Sequence, residues 1–99
     1  MNDSTITTTG RIGYNSERKR FMLLVSDLWV EDKAFHCGDI FERYDYDSGK
    51  WISSRIEKHY TADQSEEAQR AAWYIADTKP EIGGENLDGM LIRVKGMYA

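Results

Sequence analysis

Residues Asp39–His59 read DIFERYDYDSGKWISSRIEKH, two alternating runs around Asp47-Ser48-Gly49. Glycine at the turn supplies the positive φ that tight hairpins need. A segment patterned this way commits the middle of the chain to antiparallel sheet. Opposite charges or apolar pairs directly across such a sheet contribute about 0.2–1 kcal/mol each, and like charges oppose it. With Ser48 and Gly49 at the tip, Asp39 faces Lys58, Glu42 faces Arg55, Phe41 faces Ile56 and Tyr46 faces Trp51. A one-residue slip sets Arg43 against Arg55 or Asp39 against Glu57, and also turns every side chain to the wrong face. The pattern therefore predicts the first register. Phe41, Ile52, Ser54 and Ile56 point to the core, whereas Ile40, Glu42, Tyr44, Tyr46, Trp51, Ser53 and Arg55 share the other face.

The flanking segments carry weaker signals of the same kind. From Ile6 the chain alternates through Thr8, Gly10, Ile12 and Tyr14, a strand pattern that YNSERKR interrupts as a turn. FMLLV, Phe21 to Val25, is a short continuous apolar run, which fits a strand buried on much of both faces. SDLWVEDKAFHCGD reads as a longer loop anchored by Leu28, Trp29, Val30 and Phe35. In TADQSEEAQRAA, Asp63 or Ser65 can cap a short helix that has Glu66 and Glu67 in its first turn, where the helix dipole favours acids. AWYIAD returns to strand content. TKPEIGGENLDG holds the single proline and reads as loop, and MLIRVK, Met90 to Lys95, reads as a last strand.

Ninety-nine residues make one domain. Three Trp and three Phe concentrate the burial of a small chain in a few side chains, each able to remove about 150–250 Å² from water. Seventeen acids against thirteen bases give a net charge of −4. Nucleic-acid affinity rests on Lys and Arg that displace counterions from phosphates, so this balance disfavours nucleic acid without excluding it. A local stripe of Arg11, Arg18, Lys19, Arg20 and Arg93 is what such a role requires. One cysteine cannot form an intramolecular disulfide, and no apolar run approaches the roughly 20 residues that cross a bilayer. A reducing cytoplasm with no membrane contact is the expectation.

His36-Cys37 and His59 invite an active-site reading. Consecutive residues on an extended strand point to opposite faces, and His59 then lies across from Gly38, away from Cys37. A Cys–His nucleophile needs hydrogen-bond reach between thiol and imidazole, so the expectation is a buried or half-buried structural thiol. Three Cys and His residues in all fall short of the four ligands of structural zinc. The acid pairs Glu31-Asp32, Asp45 with Asp47 and Glu66-Glu67 fit solvated turns and helix ends. GGENLDG lacks the Lys-Ser/Thr and the strand–turn–helix frame of a phosphate loop. No catalytic residue, metal or cofactor is expected.

The second hairpin face is the better candidate. Tyr44, Tyr46 and Trp51 cluster there beside Glu42 and Arg55, and flat aromatics with polar handles are the composition of binding surfaces. Cover from the 62–76 segment or the Trp29 loop is the competing arrangement, so the exposure of Trp51 decides between them.

Two resemblances bear on these residues. FHCGDIF, the hairpin turn, GKWISSRI and GMLIRV together resemble the SH3-like small barrels over roughly residues 35–95. In SH3 domains a tryptophan just after that turn lies on the ligand face, which corresponds to Trp51. The acidic loop and the proline-reading tyrosine motif are not evident, so proline-rich ligands do not follow. More closely, GRIGYNSERKRF, FHCGD, GKWISSRIE, WYI and LDGMLIRV resemble a family of small domains of unknown function from Gram-positive bacteria and their mobile elements. That likeness spans about residues 10–94 and implies that His36, Cys37 and Gly38 belong to a family pattern. It carries no catalytic residue. A longer hairpin tip and an acidic insertion around Asp63–Arg70 depart from it.

The combined expectation is a mainly β, SH3-like, partly open barrel of five or six strands with one short helical insertion. It occupies residues 10–95, after a flexible segment 1–9 and before a tail 96–99. Its expected function is non-catalytic binding of a protein or peptide through Tyr44, Tyr46, Trp51 and Arg55. The alternative is a nucleic-acid-associated accessory protein of a plasmid or conjugative element. A homodimer through the aromatic face is also open.

Overall fold

A computed structural model describes residues 7–78 and 81–95. Eight strands form one antiparallel sheet: β1 (Thr7–Asn15), β2 (Arg20–Val25), β3 (Leu28–Ala34), β4 (Ile40–Asp45), β5 (Lys50–Lys58), β6 (Trp73–Ile75), β7 (Ile82–Gly83) and β8 (Leu91–Lys95). Among the described residues a helix, α1 (Glu66–Ala71), and a 3-10 turn (Gly84–Asn86) complete it. The order across the sheet is β3-β2-β1-β8-β4-β5-β6-β7. The last strand thus closes the gap between the two hairpin systems, and the sheet curls into a half-barrel. The mainly β expectation with one short helix holds, with eight strands where five or six were expected. β1 starts at Thr7, ahead of the expected boundary; the rest of the expected 1–9 segment and the 96–99 tail lie outside the described residues.

The two extra strands come from segments read as loops. β3 occupies the stretch between Ser26 and Phe35, and the period there is broken twice. Ser26 and Asp27 both take positive φ, 52° and 64°, the two-residue turn that matches strand twist but built without glycine. Further on, the pairing shifts between Met22 and Leu24, so a bulge erases the alternation. β7 is two residues long and sits inside the glycine-rich segment.

The core lies inside the curl. Ile12, Phe21, Leu23, Phe35, Phe41, Ile56, Trp73, Ile75, Leu87 and Ile92 are buried there. Phe21 stands edge-on to Tyr14 at 5.1 Å and to Trp73 at 6.3 Å. Of the two cap candidates Ser65 caps α1, its hydroxyl accepting from the Ala68 N–H at 3.2 Å, while the Asp63 carboxylate accepts the Ser65 N–H at 2.9 Å. The helix is held to the barrel by polar ties. Arg70 pairs with Asp88, whose other oxygen accepts the Tyr14 N–H at 2.8 Å, and Lys58 donates to Gln69 at 2.7 Å. Burial, with Glu66 nearby, raises the Tyr14 phenol above its ordinary range.

The hairpin register is a correction. Phe41 faces Ser54, Arg43 faces Ile52, Tyr44 faces Trp51 and Asp45 faces Lys50, two residues from the expected pairing. The tip is a four-residue loop organised by Asp45. Its carbonyl accepts the Gly49 N–H at 2.8 Å, and its carboxylate takes the Ser48 hydroxyl at 2.8 Å and the Asp47 N–H at 3.2 Å. A shift of two preserves every face, so Phe41, Ser54 and Ile56 are buried as expected.

His36-Cys37-Gly38-Asp39 is not strand but the turn between β3 and β4. The Asp39 N–H donates to the His36 carbonyl at 3.0 Å, and the Asp39 carboxylate accepts the His36 N–H at 2.8 Å. Gly38 holds φ +90° at the third position, where a type II turn requires it, and its N–H donates to Ile56 at 2.8 Å. Cys37 is exposed, against the expected half-buried thiol, because the turn lifts it off the sheet. A Cβ at Gly38 meets nothing within 4 Å, so a side chain there costs conformation alone. Gly38→Ala is expected to destabilise by about 1–2 kcal/mol, read as a lower urea midpoint with an unchanged slope.

Candidate functional site

Alternation along β4 and β5 puts Tyr44 and Trp51 side by side on the outer face, away from the core. Their rings meet edge-on at 5.2 Å, and Tyr46 stands edge-on to Tyr44 at 4.9 Å. Tyr46 is 69% exposed, while Tyr44 and Trp51 are half-buried. Trp51 is not sealed beneath the 62–76 segment: α1 packs on β6 and the 3-10 turn, and the group over the indole is the Arg93 guanidinium, 4.4 Å from its centre.

Arg93 was absent from the expected site and replaces Arg55 in it. Glu42 pairs across to Arg93 on β8 and accepts from its Nε at 2.6 Å. Arg55 shares the outer face, but four residues along β5 from Trp51, about 13 Å away on an extended strand. It faces Ile40 and pairs with Glu57 at 2.7 Å. Of the four expected residues the fold therefore brings together Tyr44, Tyr46 and Trp51. Nothing local in the sequence links Glu42 to a residue 51 positions away; the only signal was the alternation of LIRVK, which places Leu91, Arg93 and Lys95 on one face.

The hydrogen bond from Arg93 holds the Glu42 carboxyl below its ordinary value, with the guanidinium charge adding to it. A carboxyl whose folded pKa lies below its unfolded one stabilises the fold above the ordinary glutamate value, about 4.3. That contribution disappears as pH falls through the lowered folded value. Wild type is therefore expected to lose more stability than Glu42→Gln on acidification from pH 7 through that range, with the gap between their urea midpoints narrowing.

The remaining chemical candidates are dispersed. His59 stacks on Tyr74 with centroids 4.0 Å apart and contacts Glu81 at 3.3 Å, whereas Cys37 sits in the β3–β4 turn. Among the described residues no three His, Cys, Asp or Glu side chains are grouped to hold a metal ion. Of the basic stripe, Arg11, Arg20 and Arg93 lie on the outer face by strand register. Arg18 and Lys19 belong to the β1–β2 turn, with Arg18 paired to Glu31 at 3.2 Å. No helix among the described residues is long and apolar enough to cross a membrane.

Fold and site define a small antiparallel half-barrel domain with an aromatic outer patch capped by a guanidinium. The chain belongs to the family described as a domain of unknown function, DUF5348, whose match covers residues 10–94. Comparison with curated proteins finds no match, and comparison with solved structures finds none either.

Proposed function

We propose that this domain is a non-catalytic interaction module that binds a protein or peptide through the outer patch of Tyr44, Tyr46 and Trp51. The observation that carries the reading is Tyr46, an aromatic side chain left 69% exposed and edge-on to Tyr44, which in turn meets Trp51. Aromatic rings bury large area at low entropic cost and dominate interface energetics. The His36–Asp39 turn gives Gly38 and Asp39 structural roles, in keeping with this reading. A cytoplasmic setting, and origin in Gram-positive bacteria and their mobile elements, go with this reading. The position of Trp51 after the hairpin turn matches the ligand-face tryptophan of SH3-like barrels, an analogy of fold only.

Capture of partners from nuclease-treated host extract tests it, with wild type, Tyr46→Ala and Trp51→Ala compared. A partner held by wild type and lost by both variants supports the module; identical captures reject it. A second reading, a nucleic-acid-associated accessory protein, draws on Arg11, Arg20 and Arg93 sharing the outer face. Retention on DNA that falls steeply with salt is its signature.

A further inference from the structure

The chain leaves β5 after Lys58 and re-enters the sheet at Trp73, which pairs with Lys58. Residues 59–72 are therefore an excursion, closed at its base by the His59 N–H donating to the Ala72 carbonyl at 2.8 Å. Compact loops with joined ends are packed largely by their own side chains. Here the Thr61 hydroxyl accepts the Asp63 N–H, the Asp63 carboxylate accepts the Ser65 N–H, Ser65 caps α1, and the Gln69 side-chain amide donates back to the Asp63 carbonyl at 2.6 Å. These internal bonds couple the residues of the excursion to one another.

Its attachment to the barrel is weaker in kind. From His59 to Ala71 no residue is buried, and the ring of Tyr60 is 91% exposed. The ties that hold it are polar: Ser16 donates to Glu66 at 3.0 Å, Lys58 donates to Gln69 at 2.7 Å, and Arg70 pairs with Asp88. A cavity of about 140 Å³ separates Gln64, Glu66 and Gln69 from Tyr14, Ser16 and Lys19 on the barrel. A segment with so little apolar burial opens at lower cost than the domain unfolds.

Two barrel side chains lie under these ties. The Arg70 guanidinium stands over the Tyr14 ring at 5.8 Å, and Lys58, itself held by Gln69, lies over the Trp73 indole at 5.5 Å. The Tyr14 hydroxyl and the Trp73 indole N–H are buried and meet no partner among the described residues. A buried polar group without a partner carries its desolvation cost uncompensated. Opening gives both groups water, so it recovers part of what the broken ties lose.

We propose that residues 60–71 are a strap, hinged at His59 and Ala72, that opens as one cooperative unit while the barrel stays folded. Opening uncovers Tyr14 and Trp73, so the strap gates an aromatic surface separate from Tyr44, Tyr46 and Trp51. The proposal stands independently of the interaction reading above. A helix as short as α1 does not persist without its docking, so its amides report the opening, and the Trp73 indole N–H reports the uncovering.

The test is hydrogen exchange of the full chain followed by NMR, under conditions where closing outpaces exchange. The amides of Ala68, Gln69 and Ala72 and the Trp73 indole N–H are expected to share one protection factor. It should lie at least about a hundredfold below that of Ile56, whose N–H donates to the Asp39 carbonyl at 3.0 Å. Arg70→Gln removes the pairing with Asp88 and should lower the shared factor about fivefold at all four sites alike, the order of a partly exposed ion pair, with Ile56 unchanged. If Ile56 falls by the same factor, that variant has weakened the whole fold, and Ser16→Ala, which cuts a tie at the surface, is read instead. Strap protection equal to that of Ile56 means that the segment moves only with global unfolding and overturns the proposal. Protection graded along α1, with the Trp73 indole as slow as Ile56, describes a fraying helix and also overturns it. So does a variant read in this way that changes only the amides next to the substitution, or none.

Discussion

Phe21→Ala is expected to cost about 3–5 kcal/mol, a large part of the roughly 5–15 kcal/mol that holds a domain together. The side chain is fully buried and stands at the centre of an aromatic row between Tyr14 and Trp73. Its backbone is fixed on both sides: it pairs with Tyr14 on β1, and its carbonyl accepts the Phe35 N–H at 2.9 Å. Two strand neighbours therefore prevent the sheet from collapsing into the space left behind, and the loss combines transfer and cavity terms. For a domain of this size that lowers the melting temperature by on the order of 20 °C. Ile40→Ala is the matched control, because Ile40 is 65% exposed on the outer face and its truncation should change stability by less than about 0.5 kcal/mol. Thermal and urea unfolding of the two variants check both values. Equal effects would mean that the core is not inside the curl.

Trp51→Ala is expected to weaken partner binding by a factor of about 30, the equivalent of a 2 kcal/mol hot spot. Trp51 supplies the floor of the patch, and its loss also leaves Tyr44 and Arg93 without the ring they pack on. Because Trp51 is half-buried, its truncation disturbs the fold as well as the surface. Tyr46→Ala separates the two effects. That side chain is mostly exposed and touches the patch through one edge-on contact, so melting should stay near wild type while binding falls. Loss of binding in Trp51→Ala alone, matched by loss of melting temperature, would reduce Trp51 to a structural residue.

The elements with local chemistry were legible in the sequence. Asp63 or Ser65 followed by two glutamates gave the helix start to within two residues, and the apolar run Phe21–Val25 gave a strand buried on much of both faces. The hairpin was located and its faces assigned, but its register was set by partners that the local pairing argument did not include. Glu42 had a plausible partner nearby in Arg55, yet β8 arrives between β1 and β4 and offers Arg93 instead. Asp45 and Asp47 were read as a solvated turn pair, but the way the Asp45 carboxylate organises a four-residue tip was not. β3 was hidden because its turn uses Ser26 and Asp27 at positive φ and its pairing carries a bulge. The His36–Asp39 turn was hidden for a related reason: His36 to Gly38 were read as extended strand when the Gly38 φ of +90° defines the turn. Long-range pairing and left-handed non-glycine residues leave little trace in a single chain's alternation.

The outer-face binding claim is tested most directly by a nitrogen-15 NMR titration of the full chain with a captured partner. The account predicts shifts concentrated at Tyr44, Tyr46, Leu91, Arg93 and the Trp51 indole, with α1 and the His36–Asp39 turn unmoved. Shifts centred on α1, on Cys37 or on the free edge of β3, with the Trp51 indole unchanged, would contradict it.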